Sequence, residues 1–262
     1  MSVLLESVDV CKYFGGLKAV EKVNMQINKG DIFGIIGPNG AGKTTFFNVC
    51  SGVYSPTSGK IILDGEDISG LYPEDVASKG IARTFQNIQL FKFMTVLDNV
   101  KVGFHLETKT NMFDAMFHTK QYWEDEKLVL EKTRETLKEV GLLEYENVMA
   151  GNLSYGIQRK VEIARALALK PKVLLLDEPA AGMNPNETIA LRDFIKELNK
   201  KGYTIVVIEH DMKFVMSSCN RILVLNFGQK ICEGTPEEVR ANKEVNEAYF
   251  GKGILFGGNS NA

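Results

Sequence analysis

The spacing of apolar positions changes character along the chain. Over residues 3–30 it alternates: Val8 and Val10 share one face of a predicted strand, and Val23, Met25 and Ile27 share a face of a second. Gly15-Gly16 and Lys29-Gly30 mark the turns. IFGIIG (Ile32–Gly37) is a short continuous apolar run, the pattern of a strand buried on both faces. A glycine-rich turn follows, then a helix over TTFFNVCSG that stops near Gly52. GKIILDGEDI (Gly59–Ile68) predicts another strand with a glycine-containing turn. From Leu97 to Gly151 the pattern is helical. EKLVLEKTRETLKEVG places Val129, Leu130, Leu137 and Val140 on one stripe with charges opposite, and Gly141 suits a helix stop. Asn111–Glu124, which holds the single tryptophan, Trp123, shows weak periodicity and yields no assigned element.

Beyond Gly151 helix and strand alternate. A helix over 155–169 buries Ile157, Val161, Ala164 and Ala168 and ends before Pro171. Val173–Asp177 is a strand. The next helix opens at Asn184-Pro185, with Glu187 placed to reach back to its start. It buries Leu191, Phe194, Ile195 and Leu198 and closes at Gly202. Tyr203–Glu209 is a strand, and RILVLNFGQKICEG reads as a hairpin. Strand–helix–strand alternation implies a parallel sheet with right-handed crossovers.

Composition narrows the function classes. At 262 residues and 44% hydrophobic content the chain can bury one large core, or a core and a small subdomain. Its 31 Lys+Arg nearly balance 33 Asp+Glu, and no basic run occurs, so charge offers no case for a nucleic-acid partner. Cys11, Cys50, Cys219 and Cys232 form no CxxC pair and no metal-spaced Cys/His cluster, which reads as free thiols in a reducing compartment. MSVLLESVDV lacks the basic region and long apolar stretch of a signal peptide. No apolar run approaches the roughly 20 residues that span a bilayer. The expectation is no direct membrane insertion; any work at a membrane requires attachment through another protein.

Three stretches carry chemistry. GPNGAGKT (Gly37, Pro38, Asn39, Gly40, Ala41, Gly42, Lys43, Thr44) lies between the buried strand and a helix. Its glycines let backbone N–H groups curl around phosphate oxygens, and the helix that follows points its N-terminus at the same anion. Lys43 supplies charge to the β- and γ-phosphates, the Thr44 hydroxyl can ligate Mg²⁺, and Thr45 completes the predicted nucleotide-binding set. VLLLDE ends a buried strand with two acids, expected to face opposite sides of the sheet edge. Asp177 would orient Mg²⁺ or its waters, and Glu178 would orient or deprotonate an attacking water. His210 follows a predicted parallel strand, where ligands of open α/β sheets bind, so it can reach a γ-phosphate and Glu178. His105 and His118 read as ordinary surface or satisfied core residues.

In this order the pieces resemble the ATP-binding subunit of ABC transporters over essentially the whole chain. GPNGAGKT resembles the Walker A loop and VLLLDEP the Walker B strand. RTFQNIQLF (Arg83–Phe91) resembles the Q-loop with Gln86 as its glutamine, AAGMNP (Ala180–Pro185) the D-loop, and His210 the switch histidine. LSYGIQ resembles the signature, usually LSGGQ, with Tyr155 in place of its first glycine and Ile157 after the second. FGGLKAV, the L-S-Y-G signature and DEPAAGMNP are more closely similar to the LivG-type subunit of branched-chain amino-acid importers.

The resemblance implies an α/β P-loop NTPase (RecA-like) with a mostly parallel core, an antiparallel β subdomain and an α-helical subdomain. It implies one ABC ATPase domain over 1–262: residues 1–85 and 170–262 form the core with its antiparallel part, and 86–169 the Q-loop and helical part. It further implies ATP and Mg²⁺ as ligands, with Gln86 sensing the metal or the water. Catalysis would fall to Glu178, His210, Gln86 and Lys43, and Mg²⁺ to Thr44, Gln86 and Asp177. Phe14 would stack on adenine, with Tyr13 as the alternative. Ser154, Tyr155 and Gly156 would bind the nucleotide of a second, identical or related, ATPase subunit. Transmembrane permease subunits would dock near Phe91, Phe93 and Met94, holding the chain peripherally on the cytoplasmic face. An exporter of lipid or polysaccharide, a soluble non-transport ABC protein and a nucleotide-binding module without turnover remain open alternatives.

Overall fold

The computed structural model describes residues 2–250, so the domain expected over 1–262 extends past the described residues. The apolar run becomes β3 (Ile32–Ile36), five residues all buried. It lies inside a six-stranded sheet with β6 (Ile81–Arg83), β7 (Val173–Asp177), β8 (Thr204–Ile208), β9 (Arg221–Asn226) and β10 (Gln229–Gly234), in the order β10-β9-β3-β8-β7-β6. Every neighbouring pair is parallel except the hairpin β9–β10 at one edge. The alternating N-terminal segment forms a second, antiparallel sheet. There β1 (Val3–Phe14) pairs with β2 (Leu17–Asn28) and β4 (Ser58–Leu63), and β5 (Glu66–Asp67) completes the edge.

Two apolar clusters share β3 between them. Phe33 and Ile35 face α1 (Lys43–Cys50) and the antiparallel sheet, packing with Phe46, Phe47, Val20 and Val23. Ile32 and Ile36 face the other way, toward α6 (Tyr155–Leu167), α7 (Pro185–Lys200) and α8 (Met212–Ser218). The period-2 pattern of a doubly covered strand thus divides the core into two layers around one sheet. The start of α7 is the capping box read from Asn184 and Glu187: Asn184 Oδ1 accepts from the Glu187 N–H at 3.0 Å, and Glu187 Oε2 accepts from the Asn184 N–H at 3.1 Å.

Between β6 and β7 the chain is helical, as the spacing predicts. It forms α3 (Val96–Lys101), α4 (Met112–Phe117), α5 (Lys120–Glu139) and α6, with short 3₁₀ turns after α3 and between α5 and α6. On α5 the buried stripe is Asp125, Val129, Thr133 and Leu137, continued by Val140; Leu130 is only half-buried. Ile157 and Phe194 are likewise half-buried. The helix stops at Gly141, at φ 70°, where the Leu142 N–H bonds Leu137 O at 2.7 Å. The unassigned segment is α4 and the start of α5. A capping box of Asn111 and Asp114 holds α4, yet none of its residues is buried, and Met112, Phe113, Met116 and Phe117 stand exposed. The pattern also passed over α2 (Pro73–Lys79), β6, α8, α9 (Pro236–Ala241) and α10 (Lys243–Phe250). Among the described residues no helix is long and apolar enough to cross a membrane, and all four cysteines are free.

Within the helical part, α3 meets α6 at Gly103, in the turn after α3. A Cβ there would lie 2.4 Å from Arg165 O and 2.6 Å from Ala168 Cβ. Gly103→Ala is expected to lower the unfolding free energy by about 1–3 kcal/mol through overpacking. An unchanged urea midpoint would show that the α3–α6 junction has room to spare.

Candidate active site

The phosphate loop leaves the carboxyl end of β3 and runs into α1. Asn39, Gly40, Ala41, Gly42, Lys43, Thr44 and Thr45 line one wall of a pocket of about 500 Å³. Gly37 and Pro38 lie behind that wall, and the Ala41 N–H closes the turn on Pro38 O at 3.1 Å. Gly42 is the N-cap of α1 at φ 95°, and a Cβ on it would lie 2.3 Å from Ala19 O. No side chain caps α1 and no acid occupies its first turn, which leaves its leading N–H groups open to an anion. Lys43 is buried, and its Nζ donates to Gly37 O at 2.7 Å and Pro38 O at 3.1 Å. Burial holds this amine below its ordinary pKa, and the charge of Glu178 acts the other way.

The two acids part company at the end of β7. Asp177 is 6% exposed and its Oδ2 pairs with Arg83 Nη2 at 2.7 Å. Arg83 also donates to Asn48 Oδ1 at 2.6 Å and Ser51 Oγ at 2.8 Å, tying Asp177 to the end of α1. One oxygen of the predicted metal-orienting acid is therefore committed to an arginine. Strand alternation does not extend to Glu178, which lies past the last residue of β7 at φ 43°. That left-handed backbone is unfavourable for a side chain of this size and is a feature of functional sites. It turns the carboxylate into the pocket that Lys43 lines.

Gln86 and His210 come to the same carboxylate. Gln86 Nε2 donates to Glu178 Oε2 at 2.7 Å, and His210 Nδ1 stands 3.8 Å from that oxygen. The shared position follows from the sheet: the chain leaves β6, β7 and β8 at adjacent carboxyl ends. Behind His210, Glu209 is buried and accepts from the Ala180 N–H at 2.8 Å and the His210 N–H at 3.2 Å. Burial pushes its carboxyl above the usual carboxylate range despite those two bonds.

Other predicted residues lie elsewhere. Phe14 is not part of the pocket lining; it packs edge-on against Tyr54 at 5.3 Å, with Lys12 Nζ 5.1 Å from its ring centre. Tyr13 is also outside the lining, with Lys18 Nζ 5.8 Å from its ring centre. The apolar wall is Leu17, Ala19 and Phe227 instead, the last 85% exposed in the β9–β10 turn. Ser154, Tyr155 and Gly156 open α6 and do not line the pocket of their own chain. Ser154 is the N-cap of α6, yet its hydroxyl makes no capping bond. For a metal, the described residues hold no cluster of three His, Cys, Asp or Glu. Mg²⁺ takes few protein oxygens and completes its shell with phosphates and water; of the expected donors, Thr44 lines the pocket, and Asp177 and Gln86, outside the lining, each keep an oxygen not used in their bonds to Arg83 and Glu178, a set of the hard-oxygen kind that this ion takes. Sequence reading missed Arg83 and the pocket residues Leu17, Lys18, Ala19, Phe227 and Gly228; their only signal was the two hairpin turns and a cation beside an apolar strand.

A family profile described as "ABC transporter" matches residues 20–181. The chain belongs to the ABC transporter family. A second profile, "Branched-chain amino acid ATP-binding cassette transporter", matches residues 229–254 of the cassette. The cassette is 46% identical over 250 residues to the high-affinity branched-chain amino acid transport ATP-binding protein BraF of Pseudomonas aeruginosa, covering 95% of this chain and 98% of that one. To the corresponding protein LivG of Escherichia coli it is 45% identical over 240 residues, covering 91% and 94%. A crystal structure of the ADP conformation of an ATP-binding cassette of an ABC transporter superposes with TM-score 0.83 at 35% identity, covering 96% and 100%. A dimeric post-hydrolysis cassette bound to ADP and Pi matches with TM-score 0.72 at 27% identity, covering 89% and 99%. The α/β P-loop NTPase fold implied by the sequence is the fold of this cassette.

Glu209, its carboxyl pushed up by burial, is expected to make the cassette's stability depend on pH. Its folded pKa is raised, so its contribution is full below the unfolded value and is lost as pH rises through the folded one. Glu209→Gln keeps an oxygen for Ala180 and never ionises. Its melting temperature relative to the parent is expected to rise between pH 5 and pH 8. A difference constant over that range would show that Glu209 titrates normally.

Proposed function

We propose that the cassette binds and hydrolyses ATP to power uptake of branched-chain amino acids. The observation that carries this is the meeting of Lys43, Glu178, Gln86 and His210 at one sheet edge, in a chain 46% identical to BraF. The loop from Gly37 to Thr45 and the open N-terminus of α1 hold the phosphates, and Lys43 exchanges its bonds to Gly37 O and Pro38 O for phosphate oxygens. Glu178 orients or deprotonates the attacking water, with Gln86 fixing its carboxylate and His210 offsetting charge on the transferred phosphoryl group. Thr44, Asp177 and Gln86 would hold Mg²⁺, which would supply charge neutralisation on the phosphates. Adenine lies against the wall of Leu17, Ala19 and Phe227.

A second cassette completes the site. Ser154 carries an unspent hydroxyl at a helix N-terminus away from its own pocket, which suits the phosphate of a partner's nucleotide across a two-fold interface. The dimeric relative bound to ADP and Pi supports such pairing. Phe93, 95% exposed, with Phe91 and Met94 beside it, is the surface offered to a permease subunit, which would hold the cassette at the cytoplasmic face.

Two experiments test this. Glu178→Gln should keep ATP binding and nucleotide-driven dimerisation while turnover falls by about 10²–10⁴-fold; unchanged phosphate release would remove Glu178 from the chemistry. Ser154→Arg should leave the ATP affinity of the isolated chain within about twofold, on the reach of a trans contact, and abolish nucleotide-driven dimerisation. Lost affinity in the isolated chain would place Ser154 in its own site.

A further inference from the structure

One helix grips the loop that carries Gln86. On α6, Arg159, Glu162 and Arg165 recur every third residue and so lie along one side. Arg159 is 0% exposed and heads the fully buried side chains by volume. Its Nη1 donates to Phe85 O at 2.7 Å and its Nη2 to Gln86 O at 2.7 Å. Glu162 balances the charge, with Oε2 at 2.7 Å from Nη1, while its Oε1 accepts from the Gln89 N–H at 3.2 Å. Arg165 donates to Gln89 O and stands 5.9 Å from the Phe91 ring centre. Three side chains of one helix thus hold the backbone of a loop that has few bonds of its own. Arg159 Nε is buried without a partner, so the guanidinium is seated by the loop and Glu162 rather than by a closed network.

Desolvating this guanidinium is expensive, and an apolar side chain would fill the same volume at lower cost. What the guanidinium adds is its fork, which holds two successive carbonyls in fixed relation; an ammonium on a flexible stem does not. The second of those carbonyls belongs to the residue whose amide holds Glu178. Ser154 opens the same helix five residues earlier, about 7.5 Å along a rigid rod. A displacement of the helix mouth therefore reaches Gln86 through hydrogen bonds.

We propose that Arg159, neutralised by Glu162, is a positioning residue that aligns Gln86 with Glu178 and ties that alignment to the helix opened by Ser154. This rests on the reading of Gln86 and Glu178 as parts of the hydrolytic site.

The test uses the full chain in its assembled transporter. Arg159→Lys keeps the charge and loses the fork. It should leave KM for ATP within about twofold and lower kcat by about 10- to 100-fold, the scale of a small misplacement at a reacting centre. Hydrogen exchange should quicken at residues 86–91 while β7 and β8 keep their protection. Arg159→Met with Glu162→Leu, which leaves no unpaired buried charge, should lose kcat in the same way with the fold retained. Gln86→Ala should lower kcat, and adding Arg159→Lys to it should lower kcat no further. If Gln86→Ala slows turnover and Arg159→Lys does not, the alignment role is wrong while the Gln86 reading stands. If Gln86→Ala changes nothing, that reading fails and the proposal with it. Lost protection in β7 and β8 in both Arg159 variants would assign Arg159 to fold stability alone.

Discussion

The hydrogen-bonded register of β3, β8 and β7 is the constraint on which the site depends. Ile208 pairs with Ile35 on one side and Asp177 on the other, so three strands end within a residue of one another. That register is held by the core. Phe33 and Ile35 pack into one apolar layer and Ile32 and Ile36 into the other, and a slip of one residue would exchange the layers. The phosphate loop, the two acids and His210 meet because the core allows these strands one alignment.

Charge finishes what apolar packing begins. β6 and the loop after it, barely a strand and a bend, are held by two guanidinium groups, the buried one of Arg159 and the half-buried one of Arg83. Arg83 ties β6 to Asp177 and to the end of the helix that follows the phosphate loop. Arg159 ties the residues just beyond to the opposite helix. Neither arrangement is a strong source of net stability, since the desolvation of each cation offsets most of its pairing. Both fix direction: each guanidinium holds its donors in one plane, and the terminal Nη1 and Nη2 of each bond specified acceptors. The result is a short segment whose orientation is set from two sides.

What could be read in the sequence follows from this division. β3, the phosphate loop, Asp177 and Glu178 were legible because a doubly buried strand followed by a glycine turn leaves a local pattern. The capping box of α7 was legible for the same reason. β6 has three residues, too few to show a period, and exists by pairing with β7. α2 buries only Val76 and offers almost no amphipathic stripe. α4 defeats periodicity because its apolar residues face outward. Asp125 displaced Leu130 from the predicted α5 stripe because four bonds, from Lys109, Thr110 and Gln121, satisfy its carboxylate. The arms of Arg83 and Arg159 reach partners 94 and 73 residues away, a separation at which one sequence carries no signal. Phe14 divides the two: its motif position is plain, while its contact with Tyr54, forty residues away, leaves no local pattern.

With Glu178 in the proposed role, its backbone sets heat resistance against turnover. Its left-handed backbone is held by the bond from its N–H to Ile208 O at 2.9 Å. Glycine or asparagine would occupy that conformation with less strain, so descent under selection for thermal endurance alone would drift toward a relaxed, silent cassette. Keeping glutamate here therefore trades endurance for the proposed chemistry, in one backbone angle.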